Sequence, residues 1–299
     1  MKYRKLEGTD LTVPQYVLGT GDYASNVPAD IARDLLKTYV DCGGTMLDTS
    51  HYYGSFLVGG RSLSECLVGD FLQENHLREQ VLISTKGCCY ATNKPYEKRM
   101  TPAFLRSDLT ESLRNLHTDY IDFYWLHQDD PSQPVGAILE ELNRCVEEGK
   151  IRYFGCSNWK IERILEADAY AEAHGLRKFS ANQVMLNMAY PNMTAVDELI
   201  QTWLTPGMRK YHERTQRPVF AYCSQARIIS ISEDSFMEQQ KLMDELNYHR
   251  AQKLTDALYH SGLISFEEYD KLTLKNRHSF SPIYVDLLPK TLAIPPKKR

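Results

Sequence analysis

Residues 121–127 read Ile-Asp-Phe-Tyr-Trp-Leu-His, an apolar run of strand length that ends on a histidine. Residues 102–116 before it and residues 134–148 after it carry helical patterns. In the first of these, Leu105 and Leu109 recur at the spacing of one helix face. A strand between two helices is the repeating unit of a parallel sheet, so this part of the chain predicts an α/β fold.

The same alternation extends along most of the chain. Helical patterns also cover residues 31–41 and 161–174, and residues 3–13 predict a small hairpin that could plug the bottom of a barrel. Parallel α/β barrels hold about 250 residues or more in one domain, which suits this length. The predicted strands cover residues 16–18, 45–47, 81–84, 121–126, 153–155, 180–184 and 219–222.

The last part of the chain departs from this regularity. A long helical pattern covers residues 236–260, and residues 265–268 have the composition of a capping box that starts a second helix. Residues 282–287 are a candidate eighth strand, but the proline-rich residues 288–299 cannot form a full helix, so the last cover helix is expected to be missing. A naturally short enzyme, a truncated or frame-altered one, and a homo-oligomer that forms through the uncovered last strand all fit this pattern.

The composition excludes several classes of protein. The chain has 299 residues, of which 42% are hydrophobic and 25% are charged, with a formal net charge of -4. These values argue against a polybasic nucleic-acid binder, and the apolar runs are far shorter than the roughly 20 residues of a membrane span. No apolar segment follows the basic N-terminus, so we expect no secretory signal. Seven irregularly spaced cysteines favour reduced thiols in a cytoplasmic protein.

Four polar residues are placed where barrels carry their chemistry, at the carboxyl ends of strands. Asp48, Lys86 and His127 follow three successive predicted strands, and Tyr53 lies in the loop after Asp48. Each alone has a structural alternative: a turn cap, a solvated strand end, a core imidazole or a packed aromatic. Together they predict an acid that protonates a carbonyl as hydride arrives, because an ammonium beside a tyrosine stabilises its phenolate. Asp48 would keep the lysine charged, and His127 would orient the carbonyl oxygen.

The stretch after His127 also allows a metal site to be considered. Residues 127–130 read His-Gln-Asp-Asp, but the His-x-His strand pair of metal-dependent barrel hydrolases is missing. We therefore expect no metal, and metal-dependent hydrolysis stays a minor alternative.

Several segments resemble the aldo-keto reductase family. Residues 47–54, Leu-Asp-Thr-Ser-His-Tyr-Tyr-Gly, are similar to its Asp-Thr-Ala-x-x-Tyr-Gly segment. Residues 84–86 and 124–127 resemble its lysine and histidine strands, and residues 149–158 resemble its Gly-Lys-Ile-Arg and Gly-x-Ser-Asn stretch. Residues 182–184 resemble its Asn-Gln strand. The resemblance covers residues 3–227, and residues 228–299 diverge from it.

The resemblance implies a single (β/α)8 barrel domain over residues 1–299 that lacks a Rossmann domain and binds NADPH across the rim. It implies reduction of a small aldehyde or ketone, including sugar-derived ones. In that reaction Tyr53 would be the general acid, Lys86 and Asp48 would adjust the acidity of Tyr53, and His127 would position the carbonyl. Ser157, Asn158 and Gln183 would hold the nicotinamide carboxamide, and Tyr222 would stack on the ring. The cofactor-binding residues expected on this basis are Gly19, Thr20, Asp48, Ser157, Asn158, Gln183, Tyr222, Ser224, Arg227, Lys290 and Thr291.

Two segments depart from the family pattern. Residues 223–229 carry β-branched side chains where glycine would let the backbone approach a pyrophosphate, and in residues 283–291 only Lys290 and Thr291 remain as candidate phosphate ligands. These departures motivate an alternative function, a cofactor-sensing or regulatory barrel with weak catalysis.

Overall fold

The chain divides into two compact units in a computed structural model. The first unit comprises Met1–Met188 and Asp197–Gln225, and the second comprises Ala189–Val196 and Ala226–Arg299. The predicted strand at 282–287 and most of the helix predicted from residue 236 lie outside the described residues. The structure describes residues 1–55, 62–90, 98–186, 201–224, 248 and 251–280.

A curled parallel sheet forms the centre of the first unit. The seven strands that the described residues contribute to it follow chain order, and each pairs in parallel with the next one, which confirms the predicted α/β fold class. An antiparallel hairpin, β1 with β2, precedes the sheet. The strands are β1 (Tyr3–Lys5), β2 (Thr12–Pro14), β3 (Leu18–Gly19), β4 (Met46–Asp48), β5 (Leu82–Gly87), β6 (Ile121–Leu126), β7 (Ile151–Ser157), β8 (Asn182–Met185) and β9 (Val219–Tyr222).

Helices alternate with these strands, and local sequence fixes where several of them begin. The side chains of Ser62, Thr101 and Thr205 accept hydrogen bonds from the backbone N–H three residues later, as N-cap residues do. Proline follows the cap in the last two, where the missing N–H costs nothing. The helices are α1 (Ala29–Asp41), α2 (Leu63–Glu74), α3 (Pro102–Asn115), α4 (Val135–Glu147), α5 (Ile161–Ala173) and α6 (Pro206–Thr215).

Two strands extend by more than one residue beyond their predicted ends. We expected β5 to end at residue 84 and β7 to end at residue 155, but they continue to Gly87 and Ser157. The prediction was wrong there because polar residues interrupt the apolar run. In β5 those residues stay in the ladder since their side chains are buried and bonded: the Ser84 hydroxyl donates to Asp48 and the Thr85 hydroxyl donates to Glu65, both at 2.6 Å. Lys86 and Ser157 therefore lie within strands rather than in the loops after them.

The hairpin closes the amino-terminal end of the sheet, as predicted. The amide of Asp10, in the hairpin turn, donates to the hydroxyl of Tyr153 near the start of β7, at 3.1 Å. The apolar side chains of the hairpin enter a small core inside the sheet. This inner core is distinct from the larger core between the sheet and the helices. The buried members of this inner core are Leu6, Leu11, Val13, Met46, Phe123, Trp125 and Ala181.

In the second unit, residues 251–260 are helical, and the C-terminal helix covers Phe266–Phe280. A reciprocal capping box starts the latter, as predicted: the amide of Glu268 donates to Ser265 Oγ at 3.3 Å, and the amide of Ser265 donates to the Glu268 carboxylate at 2.8 Å. Across the described ranges, no helix combines the length and the apolar character needed to cross a membrane.

Close packing of α2 on the end of α3 generates a testable prediction about stability. A Cβ added at Gly69 would lie 2.3 Å from the carbonyl oxygen of Asn115, an approach that forces backbone to move. We expect Gly69→Ala to lower the free energy of unfolding by about 1–3 kcal/mol in urea denaturation, despite the better helix propensity of alanine. Gly207→Ala in α6 is the matched control, because the nearest atom is 3.9 Å away. Equal stability of the two variants would contradict this account.

Candidate active site

A buried ion pair between Lys86 and Asp48 lies at the centre of the site. Lys86 Nζ is 2.7 Å from Asp48 Oδ2 and donates to the backbone oxygen of Thr49, also at 2.7 Å. The lysine residue is only 2% exposed. Burial by itself would lower the pKa of Lys86, but the charge of Asp48 and the hydrogen-bonding groups of Asp48 and Tyr53 act in the opposite sense, and its pKa is raised. The ammonium is therefore charged at neutral pH.

Neighbouring strands hold the carboxylate of this pair. Asp48 aligns with Ser84 in the β4–β5 register, and Lys86 projects from the same face of β5 two residues later. Asp48 accepts hydrogen bonds from Ser84 Oγ at 2.6 Å and from Gln183 Nε2 at 3.3 Å. Trp125 Nε1 in turn donates to Ser84 Oγ at 2.7 Å. Side chains from β4, β5, β6 and β8 thus form one connected hydrogen-bonded network.

Tyr53 packs against this ion pair from the loop after β4. Lys86 Nζ lies 4.9 Å from the centroid of its ring, and a Cβ on Gly21 would approach the ring to 3.7 Å. Burial raises the pKa of Tyr53, and this effect exceeds the opposing effect of the Lys86 ammonium, while Asp48 adds to the rise. Lys86 acts in the predicted direction, towards a more acidic tyrosine, but burial outweighs it in the resting site because little water remains to solvate a phenolate. The hydroxyl keeps its proton.

His127 faces Tyr53 at the end of β6. The two ring centroids are 5.8 Å apart and the ring planes are almost perpendicular, at 86°. Burial lowers the pKa of His127 to about 3, and the charges of Lys86 and His51 act in the same direction. The imidazole is therefore neutral. Its Nδ1 lies 3.0 Å from the hydroxyl oxygen of Ser50.

Asn158, directly after β7, has its side-chain amide fully engaged within the protein. Its Oδ1 accepts from the backbone N–H of Thr202 at 3.0 Å and from the hydroxyl of Tyr222 at 2.6 Å. Its Nδ2 donates to the backbone oxygen of His127 at 3.0 Å and to Ser157 Oγ at 3.2 Å. These four bonds use the whole hydrogen-bonding capacity of the amide.

The other sequence-predicted cofactor residues differ in position. Gly19 ends β3 next to open space, since an added Cβ would meet nothing within 4 Å. Thr20 is buried, and its hydroxyl donates to the backbone oxygen of Asp48 at 3.1 Å, so that hydroxyl serves the fold. Ser224 lies in the turn after β9. Arg227, Lys290 and Thr291 lie outside the described residues.

The described residues fit the nicotinamide end of NADPH with one exchange of partner. Open space at Gly19 and the partly buried ring of Tyr222 suit a flat aromatic group, and Ser157 and Gln183 bring a hydroxyl and an amide. Asn158 is the exception, because a bound carboxamide would have to replace one of its present partners.

Three contributors to the site escaped sequence reasoning. Ser84 lies on the same face of β5 as Lys86, so the period of two within the strand could have revealed it. Ser50 lies in the Asp48–Tyr53 segment, but nothing in the sequence pattern indicated that its side chain contacts His127. Thr202 comes from an irregular segment far along the chain, and no local pattern connects it with Asn158.

Two family models match separate parts of the chain. The model of the aldo/keto reductase family matches residues 16–215, and that of the SHOCT domain matches residues 237–289. The first match covers β3 to α6, which include Asp48, Lys86 and the loop with Tyr53, and ends before β9; the second lies in the second unit.

Two curated proteins similar to this chain carry reductase names. Aldo-keto reductase YhdN of Bacillus subtilis is 29% identical over 181 residues, which make up 59% of this chain and 53% of the relative. Norsolorinic acid reductase of Aspergillus flavus is 30% identical over 174 residues, 56% of this chain and 42% of the relative. The chain thus spans about half the length of the curated relatives it matches.

Solved structures show a similar fold. An aldo-keto reductase from Klebsiella pneumoniae in complex with NADPH aligns with a TM-score of 0.57 at 26% identity, over 75% of this chain and 68% of that one. The thermostable aldo-keto reductase Tm1743 in complex with the inhibitor epalrestat gives a TM-score of 0.63 at 24% identity, over 83% and 81%. The likeness matches the described sheet and helices to the predicted (β/α)8 fold.

The neutral, buried His127 makes the protein sensitive to acid. Its pKa falls from 6.5 to about 3 on folding, so above pH 6.5 neither state is protonated, and below it only the unfolded state gains the proton. Stability should therefore be lost by about 1.4 kcal/mol for each pH unit below 6.5, or about 2 kcal/mol at pH 5. Urea unfolding of the wild type and of His127→Gln between pH 7 and pH 5 measures this contribution. Parallel pH profiles would contradict it.

Proposed function

We infer that this chain, which belongs to the aldo/keto reductase family, is an oxidoreductase that uses NADPH to reduce an aldehyde or ketone to the alcohol. The family generally carries out carbonyl reduction with NADP(H). One observation carries the proposal: Tyr53 and His127 lie beside the buried Lys86–Asp48 ion pair on one rim of the sheet.

Tyr53 is the proton donor in the proposed reaction. When bound, NADPH supplies a hydride to the carbonyl carbon. The carbonyl oxygen then gains negative charge and becomes basic enough to take the proton from the Tyr53 hydroxyl. Burial and the charge of Asp48 raise the pKa of Tyr53 in the resting site, so the donor is protonated at neutral pH. Once the proton has left, the nearby Lys86 ammonium stabilises the phenolate.

His127 orients the substrate in this proposal and does not act as an acid. A ring with a pKa of about 3 has no dissociable extra proton at neutral pH, so it contributes a neutral hydrogen-bonding group. Its backbone is fixed on two sides, because its N–H donates to Gly87 O at 2.9 Å and its carbonyl accepts from Asn158 at 3.0 Å. A carbonyl oxygen that lies between His127 and Tyr53 would meet both side chains without displacing Lys86.

The cofactor assignment to NADPH rests on the donor set of the rim and on the similar Klebsiella structure, whose title gives NADPH as its ligand. Ser157, Asn158 and Gln183 would hold the carboxamide, and Tyr222 would pack on the nicotinamide ring. Ser224, Arg227, Lys290 and Thr291 remain our proposed contacts for the rest of the cofactor. A small carbonyl compound is the proposed substrate, and a reducing cytoplasm suits a chain in which none of the seven described cysteines forms a disulfide.

A second candidate function, cofactor sensing with weak turnover, has one observation in its favour. The Asn158 amide that would hold the carboxamide is already saturated by protein partners. A barrel of this kind would bind NADPH only after breaking an internal bond, and that exchange would report cofactor binding to the segment around Thr202.

Replacing the proposed proton donor separates the two functions. We expect Tyr53→Phe to lower kcat by about 10²- to 10⁴-fold for a panel of simple aldehydes such as nitrobenzaldehydes, with little change in NADPH affinity, because only the transferred proton is lost. Tyr52→Phe, in the same loop, is the matched control and should change kcat less than about threefold. Steady-state NADPH oxidation at 340 nm measures both. A fully active Tyr53→Phe would rule out the mechanism, and an inactive wild type that binds NADPH would favour the sensor.

The exchange at Asn158 predicts an unusual gain in affinity. Tyr222→Phe keeps the ring but removes the hydroxyl that competes for Asn158 Oδ1, so NADPH should bind about three- to tenfold more tightly. Tyr222→Leu, which also loses the ring, should bind more weakly than the wild type. Quenching of tryptophan fluorescence during NADPH and NADH titrations gives the dissociation constants, and we expect the wild type to bind NADPH below about 10 μM. Weaker binding by Tyr222→Phe would show that the hydroxyl contacts the cofactor instead.

A further inference from the structure

Ser50 is a buried polar side chain that the proposed reaction does not yet use. It occupies the third position of the segment that begins at Asp48, where the resembling family segment Asp-Thr-Ala-x-x-Tyr-Gly has alanine. The residue has no exposed surface. A buried hydroxyl in place of a methyl group needs partners, and the identity of those partners indicates what it does.

Three groups surround the Ser50 hydroxyl. Its oxygen accepts from the backbone N–H of Tyr52 at 3.1 Å, and the remaining neighbours are the carbonyl oxygen of Lys86 at 3.3 Å and His127 Nδ1 at 3.0 Å. The hydroxyl has one hydrogen, which it can donate either to the Lys86 carbonyl or to His127 Nδ1; in the first case its oxygen would accept from an Nδ1–H of His127. The Lys86 carbonyl already accepts from the backbone N–H of His51 at 3.0 Å. The occupied Lys86 carbonyl and the shorter distance to His127 Nδ1 both favour His127 as the acceptor.

The choice of acceptor determines the chemistry of His127. A neutral imidazole has a single hydrogen, on either Nδ1 or Nε2. A ring that accepts at Nδ1 must hold its hydrogen on Nε2, and can then donate to a carbonyl oxygen. A ring that holds its hydrogen on Nδ1 presents a bare lone pair at Nε2 and repels that oxygen.

We propose that Ser50 is a positioning residue that donates its hydroxyl hydrogen to His127 Nδ1 and thereby holds His127 in the Nε2–H tautomer, ready to donate to a substrate carbonyl. The inference rests on the proposed function for its benefit to catalysis. The tautomer itself does not depend on turnover. Because the His127 backbone is already held through its N–H and its carbonyl, the Ser50 contact adds control of the ring hydrogen and of the ring orientation.

Two readouts test this role. In the full chain labelled with ¹⁵N-histidine, the Nδ1 and Nε2 chemical shifts of His127, assigned by comparison with His127→Gln, report its tautomer. We expect the Nε2–H form in the wild type and a shift of about tenfold in the tautomer ratio towards Nδ1–H in Ser50→Ala, since one hydrogen bond is lost. We also expect kcat/KM for an aldehyde to fall about tenfold in Ser50→Ala and to recover to within about threefold of wild type in Ser50→Thr, which keeps the hydroxyl.

Ser62→Ala is the control for disturbance of the same loop. The Ser62 hydroxyl caps α2, and its one hydrogen lies within reach of the backbone oxygens of Ser50 at 2.9 Å and Tyr53 at 3.1 Å; no hydrogen bond joins it to His127. This variant should lose stability and leave the His127 tautomer unchanged.

The outcomes separate this inference from the proposed function. A wild type with the hydrogen on Nδ1, or a Ser50→Ala variant with an unchanged tautomer, would overturn the inference even if Tyr53→Phe is inactive. A tautomer change in Ser50→Ala would support the positioning of the ring even if the wild type reduces no aldehyde, and the proposed function would then fail alone.

Discussion

The ammonium of Lys86 and the carboxylate of Asp48, 2.7 Å apart and largely removed from water, are the interaction on which the site depends. Two such charges are expensive to bury and are tolerated only when further hydrogen bonds satisfy them. The chain meets this requirement with Thr49 O for the ammonium and with Ser84 and Gln183 for the carboxylate. These partners come from the residue after β4 and from strands β5 and β8, so the ion pair has all of them only when these strands have assembled.

The same ammonium has different effects on its two aromatic neighbours. For His127, burial and the positive charge both favour the neutral ring, so the imidazole stays uncharged far below its usual range. For Tyr53, the two influences oppose each other, and burial dominates while the substrate is absent. The result is a pair of neutral groups beside a fixed charge, an arrangement that becomes strongly favourable only after a proton has left the tyrosine. The site would therefore be complementary to the charge distribution that develops during the proposed reduction.

Much of the fold could be predicted from sequence because the hydrophobic period is strong: β6 and β9 begin and end at the residues that their apolar runs indicate. The ends of β5 and β7 could not be predicted, because the length of an apolar run does not show that the polar side chains after it are buried and hydrogen-bonded to one another. At the site, the chemical types of Asp48, Tyr53, Lys86 and His127 were readable, and their proximity followed from strand order. The sequence could not show that burial outweighs the Lys86 charge in setting the pKa of Tyr53, because that balance depends on how much water the folded loop excludes. Nor could helical periodicity show that residues 237–289 match the SHOCT domain, since periodicity identifies helices but not the domain they serve.

The plug at the amino-terminal end of the sheet has a consequence for how the chain folds. Leu6, Leu11 and Val13 reach their buried positions only in contact with side chains as distant in sequence as Ala181. During synthesis at about 5–20 residues per second, roughly 10–30 s pass between the synthesis of the hairpin and the synthesis of Ala181. A hairpin made of two three-residue strands is not stable by itself during that time. The hairpin thus completes the inner core late, and its apolar residues are the ones that a chaperone or a protease would meet first on a nascent chain.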